Sequence, residues 1–268
     1  MVEIAISLAI IGIALVAILG VLPLGMRTQK DVREETIINQ DATVLMEDIR
    51  NGAKGANDLT NYIYAITNTW EIINPKDPGA VIRRGTYGYT YSGFYPNPTL
   101  SPPPIYSTHA IDSGTNIIGL LTTPELQNLN GTPNPVGDAE YYSNHIVAYV
   151  RSISGPAVEK PPQDSGGVMQ QSSFAYRLIV QNVPVPMAPP GNTAGVDYNY
   201  NVQANLYELR LYFRWPQQPN GSLGPGAHSF RTMVAGQLAT DGWQTNLYFF
   251  QSQAFTGNTD ITAEGGGP

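Results

Sequence analysis

From Ile4 to Met26 the chain carries no charged side chain, and 18 of those 23 positions are Ala, Val, Ile, Leu or Met. As a helix rising about 1.5 Å per residue, this run is about 35 Å long, enough to cross a hydrocarbon core of about 30 Å. It is apolar all round rather than along one stripe, so it must be hidden in lipid or among other apolar helices. Two features set it apart from a plain anchor. One is Glu3, a carboxylate at the apolar end, and the other is the set Gly12, Gly20, Pro23 and Gly25, each of which weakens a helix. A carboxylate beside an apolar run is costly unless something pairs with it, and the first Lys or Arg is Arg27. The partner must then be the chain's own amino terminus, a neighbouring molecule or lipid headgroups; the sharpest of these readings pairs Glu3 with the amino terminus of an adjacent copy in a helical assembly. The glycines and Pro23 further predict local loss of helix within residues 12–23, with regular helix on both sides.

Glu3, the unbroken apolar run and the stretch Ala9-Ile10-Ile11-Gly12-Ile13 together resemble the amino terminus of type IV pilins and type II secretion pseudopilins. The resemblance covers residues 1–52. In that family a Glu near the start of the mature chain precedes an apolar run with such a stretch, and the spacing of nine from Glu3 to Gly12 follows the pattern. Glu3 stands third where the family's Glu usually stands fifth, and the short basic leader of the family does not appear ahead of it. The resemblance implies a bacterial subunit cut and methylated at its amino terminus by a prepilin peptidase. It also implies passage from the inner membrane to an extracellular filament through a pilus assembly machinery. Glu3, Gly12, Gly20 and Pro23 are the residues it assigns to assembly.

Residues 27–55 read as a continuation of the same helix with a different surface. Ile38, Ala42, Leu45 and Ile49 recur at spacings of four, three and four and form one apolar stripe. Asn39, Gln40, Asp41, Glu47, Asp48 and Arg50 lie between them, and Gly52 and Gly55 supply a stop. The two halves together predict a helix of about 50 residues, about 75 Å long. Arg27, Lys30 and Arg33 follow the apolar run; on the positive-inside rule they keep the rest of the chain in the cytoplasm, and a basic leader ahead of the run reverses that.

From residue 56 the pattern changes to β structure with long polar connections. Candidate strands are 62–73, 86–95, 146–153, 174–183, 206–215, 229–234 and 245–255. In 206–215, Tyr207, Leu209, Leu211, Phe213 and Trp215 share one face and Glu208, Arg210, Tyr212 and Arg214 the other, with Pro216 as the expected end. A connection of about 13 residues containing Asn220-Gly221 then leads into 229–234 as an antiparallel hairpin. Segments 97–104, 132–137, 155–167 and 184–195 are rich in Pro and Gly and read as exposed connections.

Chemistry is sparse. The net charge of −7 argues against a nucleic-acid partner, which needs clustered Lys and Arg. With no cysteine there are no disulfides, thiolate metal sites or thiol nucleophiles. His109, His145 and His228 have no metal-ligand spacing, and no nucleophile elbow or phosphate loop occurs. Asp197-Tyr198-Asn199-Tyr200-Asn201 alternates oxygens as some Ca²⁺ loops do, without the glycine and closing Glu of an EF-hand. Sequons at Asn130 and Asn220 are equally good turns. No enzyme, metal or cofactor is expected.

The fold class expected is α+β: a long amino-terminal helix packed on an antiparallel, β-rich and loop-rich head. Residues 1–26 form the membrane or filament-core helix, 27–55 the amphipathic continuation and 56–268 the head. The function expected is that of a structural pilin, a homo-oligomer in a helical filament whose heads make surface contacts or adhesion. The alternatives are a monomeric membrane-anchored binding ectodomain, such as a carbohydrate-binding one, and a type II secretion pseudopilin.

Overall fold

A computed structural model describes residues 2–52, 56–74, 76–91, 93–96, 110–129, 133, 140–154, 174–185, 205–218, 220–240 and 247–251. Helix α1, Val2–Arg50, is continuous. A 3₁₀ turn at Ala56–Asn61 leads into β1 (Ile63–Asn74), β2 (Asp77–Thr90) and β3 (Gly93–Pro96). Helix α2 (Gly114–Leu121) and β4 (Leu126–Asn128) precede β5 (Tyr141–Arg151), β6 (Ala175–Pro184), β7 (Leu206–Gln217) and β8 (Leu223–Ala235). Strands β9 (Gln237–Thr240) and β10 (Tyr248–Gln251) form a separate antiparallel pair. The α+β class and the helix-plus-sheet plan are as the sequence predicts.

The main sheet is antiparallel, in the order β3-β2-β1-β5-β6-β7-β8, and β4 pairs with β5. β5 gives residues 146–151 to β6 and residues 141–143 to β4, so β4 continues the ladder where β6 leaves it. One sheet face is buried along its central strands, β1, β5, β6 and β7. Along β7 the buried residues are Tyr207, Leu209, Leu211, Phe213 and Trp215, the set that alternation predicts. They join Ile63, Ile66 and Trp70 of β1, Ile146, Ala148 and Val150 of β5, and Tyr176, Leu178 and Val180 of β6 in one core. Trp70 stacks on Tyr87 and meets Tyr142 edge-on, at centroid distances of 6.0 and 5.9 Å. Ile38, Ala42, Leu45 and Ile49 of α1 belong to the same core, each at most 1% exposed.

Several boundaries differ from expectation. The segment 86–95 is not one strand but the end of β2 and most of β3, paired from Thr90↔Gly93 outward. β7 runs past Pro216 to Gln217. The proline follows a cis peptide bond at a register irregularity between Trp215 and Gln217, where its missing N–H interrupts no ladder bond. Pairing of Gln217 with Leu223 leaves five residues, 218–222, between β7 and β8 in place of about 13. Expected strand 245–255 is described only at 247–251, of which Tyr248–Gln251 form β10, and its residues 245–246 and 252–255 lie outside the described residues, as do most of the Pro-rich segments. Local loss of helix within residues 12–23 does not occur in the single chain, where all of these positions are helical. Unwinding would leave backbone groups without partners along an apolar surface, and that outweighs the weakness of Gly12, Gly20 and Pro23.

Helix α2 has no counterpart among the elements that the sequence pattern predicts. Its amino end is capped by Ser113, whose Oγ accepts from the Asn116 N–H at 3.2 Å. The helix packs so closely on the segment entering β10 that a Cβ built on Gly119 lies 2.6 Å from Leu247 Cβ and 2.8 Å from the Phe249 ring. Gly119→Ala is therefore expected to lower unfolding free energy by about 1–3 kcal/mol, read from the urea midpoint, through overpacking. An unchanged or higher midpoint would mean that this contact is looser than described.

Candidate functional site: the two halves of helix α1

The environment of α1 divides sharply. Wherever its side chains are described, residues 2–33 are exposed, including Ile4, Ile6, Leu8, Ile10, Ile13, Leu15, Ile18 and Leu22 at more than half of full exposure. From Ile37 onward one face is buried against the head. The apolar half is long enough and apolar enough to cross a membrane. Glu3 lies at its free end, and among the described residues no ion pair involves it. Gly12 and Gly20 face open space: a Cβ added at either would meet no atom within 4 Å. About 30 Å of helix separates Glu3 from Pro23, so the four residues assigned to assembly share this apolar rod rather than forming one cluster.

The half that packs on the head is fastened by a residue that pattern reading places among the polar ones. Asp41 is fully buried. Its Oδ2 accepts from the Ile153 N–H at 2.9 Å and from the Tyr176 hydroxyl at 3.0 Å. Its Oδ1 accepts from the Ser154 N–H at 2.9 Å and from Ser154 Oγ at 2.6 Å. Burial pushes the Asp41 carboxyl above the ordinary carboxylate range, and these donors pull it partway back. Tyr176 is driven upward, first by its own burial and then by the neighbouring Asp41. The signal lies in the spacing: Asp41 stands three after Ile38 and four before Leu45, on the apolar stripe itself.

Outside this clip the helix surface is ordinary. Lys30 and Glu34 form an i,i+4 ion pair at 3.6 Å, worth a few tenths of a kcal/mol, roughly 0.3–0.5, with Lys30 exposed and Glu34 partly buried. That burial pushes the Glu34 carboxyl above its ordinary range, and Lys30 pulls it partway back.

No family model, curated protein or solved structure matches this chain. His145 is exposed on β5, and His228 stacks on Phe230 with a centroid distance of 4.5 Å. His109, the Asp197–Asn201 stretch and the Asn130 sequon lie outside the described residues. Asn220 forms a turn, its Oδ1 accepting from the Ser222 N–H at 2.9 Å. Among the described residues no group of His, Asp or Glu could hold a metal ion.

Proposed function

We propose that this chain is a pilin-like structural subunit, held in a membrane by the first half of α1 and assembled through that half into an extracellular filament. The observation that carries the reading is the division of α1: an apolar rod exposed all round, rigidly continuous with a stripe sunk into the head. A plain anchor needs only the apolar run. It needs neither a helix that continues unbroken into the folded domain nor a carboxylate at its far end. In an assembly, neighbouring rods replace lipid around each apolar segment, and Glu3 selects the register by pairing with the terminal amine of an adjacent copy. Gly12 and Gly20 let neighbouring backbones approach closely, and Pro23 marks where the rod can adjust to several neighbours at once. The head forms the outer surface and makes the external contacts.

Glu3→Leu tests the pairing. The variant should enter membranes at least as well as the parent, having lost a charge that is costly in hydrocarbon. Its filament yield by negative-stain microscopy should fall about tenfold or more, because the partner amine is left uncompensated in an apolar core. Equal yields from the two proteins would sink the pairing. Absence of filaments from the parent chain under all assembly conditions would favour a monomeric anchored ectodomain.

A further inference from the structure

The face of the main sheet opposite α1 carries an unusual set of side chains for a chain of net charge −7. Arg151, Arg177, Arg210, Arg214 and Arg231 all lie on strands there, on the alternate positions to the buried ones. Two pairs are direct cross-strand partners: Arg177 with Arg214, and Arg210 with Arg231. Like charges facing each other across adjacent strands, about 4.8 Å apart, repel. At the second pair the fold supplies an anion. Glu208 Oε2 lies 2.5 Å from Arg210 Nη2, and Oε1 lies 3.8 Å from Arg231 Nη1. At the first pair no carboxylate of the described residues takes that role.

The Arg177–Arg214 pair, which meets no carboxylate among the described residues, is also held in place. The Arg177 guanidinium lies over the Tyr149 ring, 5.2 Å from its centroid, and donates from Nη2 to the Gly221 carbonyl at 2.7 Å. Arg151 lies over the Tyr64 ring at 5.0 Å, and the two tyrosine rings meet at 6.0 Å. Two guanidiniums are thus ordered on an aromatic base by cation–π contact before any ligand arrives. Arg214 beside them is exposed.

We propose that Arg151, Arg177 and Arg214 form a binding site for a carboxylate-bearing polysaccharide, whose uronate groups stand where Glu208 stands in the neighbouring pair. Guanidinium forks match carboxylates in two parallel hydrogen bonds. A sheet face offers side chains and no free backbone groups, so it lacks the edge pairing through which an extended acidic peptide joins a sheet, whereas an acidic polysaccharide is held through its carboxylates by side chains alone. Single-stranded nucleic acid is disfavoured because guanidiniums already cover the tyrosine faces on which bases would stack. The site lies on the far side of the sheet from α1 and does not require assembly, so binding and polymerisation can fail separately.

The test is calorimetric titration of the full chain in lipid nanodiscs with hexagalacturonate. The expected result is binding that weakens as salt rises, and is about tenfold weaker in Arg177→Gln/Arg214→Gln. The Arg177→Lys/Arg214→Lys protein, which keeps charge without the fork, should fall between. Arg84→Gln, which removes a partner of Glu71 elsewhere on the sheet, should leave binding unchanged. If the double Gln variant loses its near-ultraviolet dichroism, Arg214→Gln alone, at an exposed side chain, takes its place. The proposal is overturned by no binding, by equal binding of neutral maltohexaose, by tighter binding of a dodecamer of deoxythymidine, or by binding that ignores substitution of Arg214.

Discussion

Removal of residues 1–26 is expected to turn a chain that needs lipid, detergent or neighbouring copies into a soluble, folded monomer that forms no filaments. Every buried apolar residue described lies at Ile37 or later, so the deletion takes nothing from the core. It removes the exposed side chains of a rod in which each Ile or Leu gains about 1.5–3 kcal/mol on leaving water, the driving force we propose for insertion and assembly. The stripe Ile38, Ala42, Leu45 and Ile49 and the Asp41 clip stay with the head. Size-exclusion chromatography with light scattering, together with dichroism, reads the outcome. A truncated head that still polymerised would show that the apolar helix does not drive assembly, and one that failed to fold would show that the rod contributes to the head's stability.

Loss of the clip should be nearly as severe in its own measure. Asp41→Ala leaves the Ile153 and Ser154 N–H groups and the Tyr176 hydroxyl without their acceptor at the seat of the helix. With an unsatisfied buried donor costing about 1–3 kcal/mol, and some relief where water reaches the half-buried loop, a loss of about 3–5 kcal/mol is expected from urea unfolding. Asp41→Asn keeps the shape but turns an NH₂ group toward donors, and should lose somewhat less. The pH dependence has a definite sign. The folded carboxyl titrates above its ordinary value of 3.8 because burial disfavours the charged form. Between 3.8 and that higher value the folded chain holds more protons than the unfolded one, so this group's contribution is full at lower pH and declines as pH rises through the window. Asp41→Asn should flatten that part of the stability profile. A slope of opposite sign that vanished in Asp41→Asn would mean that the four donors outweigh burial.

The second half of α1 and most strands are legible because one-sided burial imprints a period on the chain, and the first half because it is uncharged and apolar all round. Ile38 to Ile49 repeat with the helix, and Tyr207 to Trp215 alternate with the strand. What escapes are features for which period says little. Helix α2 is short, with two glycines and β-branched neighbours, and only Ser113 at its cap betrays it. The turn between β2 and β3 falls inside a run of tyrosines that reads as one strand, and β2 begins among Asp77-Pro78-Gly79, where composition suggests a loop. Asp41 is misleading because its chemistry belongs to the surface while its position belongs to the stripe. The arginine site is invisible for a different reason. Arg177 and Arg214 are 37 positions apart, and only the register of β6 against β7 makes them neighbours.

The main sheet consists of two meanders, β1-β2-β3 and β5-β6-β7-β8, meeting along the single seam β1–β5. Within each meander partners are neighbours in sequence, but residues 75–140 separate the two sides of the seam. The Asp41 clip closes on Ile153, Ser154 and Tyr176, all belonging to the second meander and its connections. In a chain made from its amino end, α1 therefore exists long before the site that receives its buried carboxylate. Until residue 176 has emerged, the helix has no complete seat, and Asp41 remains hydrated. Fastening the rod to the head is a late event in the life of the nascent chain, fixed by the order of the strands and independent of how fast each one pairs.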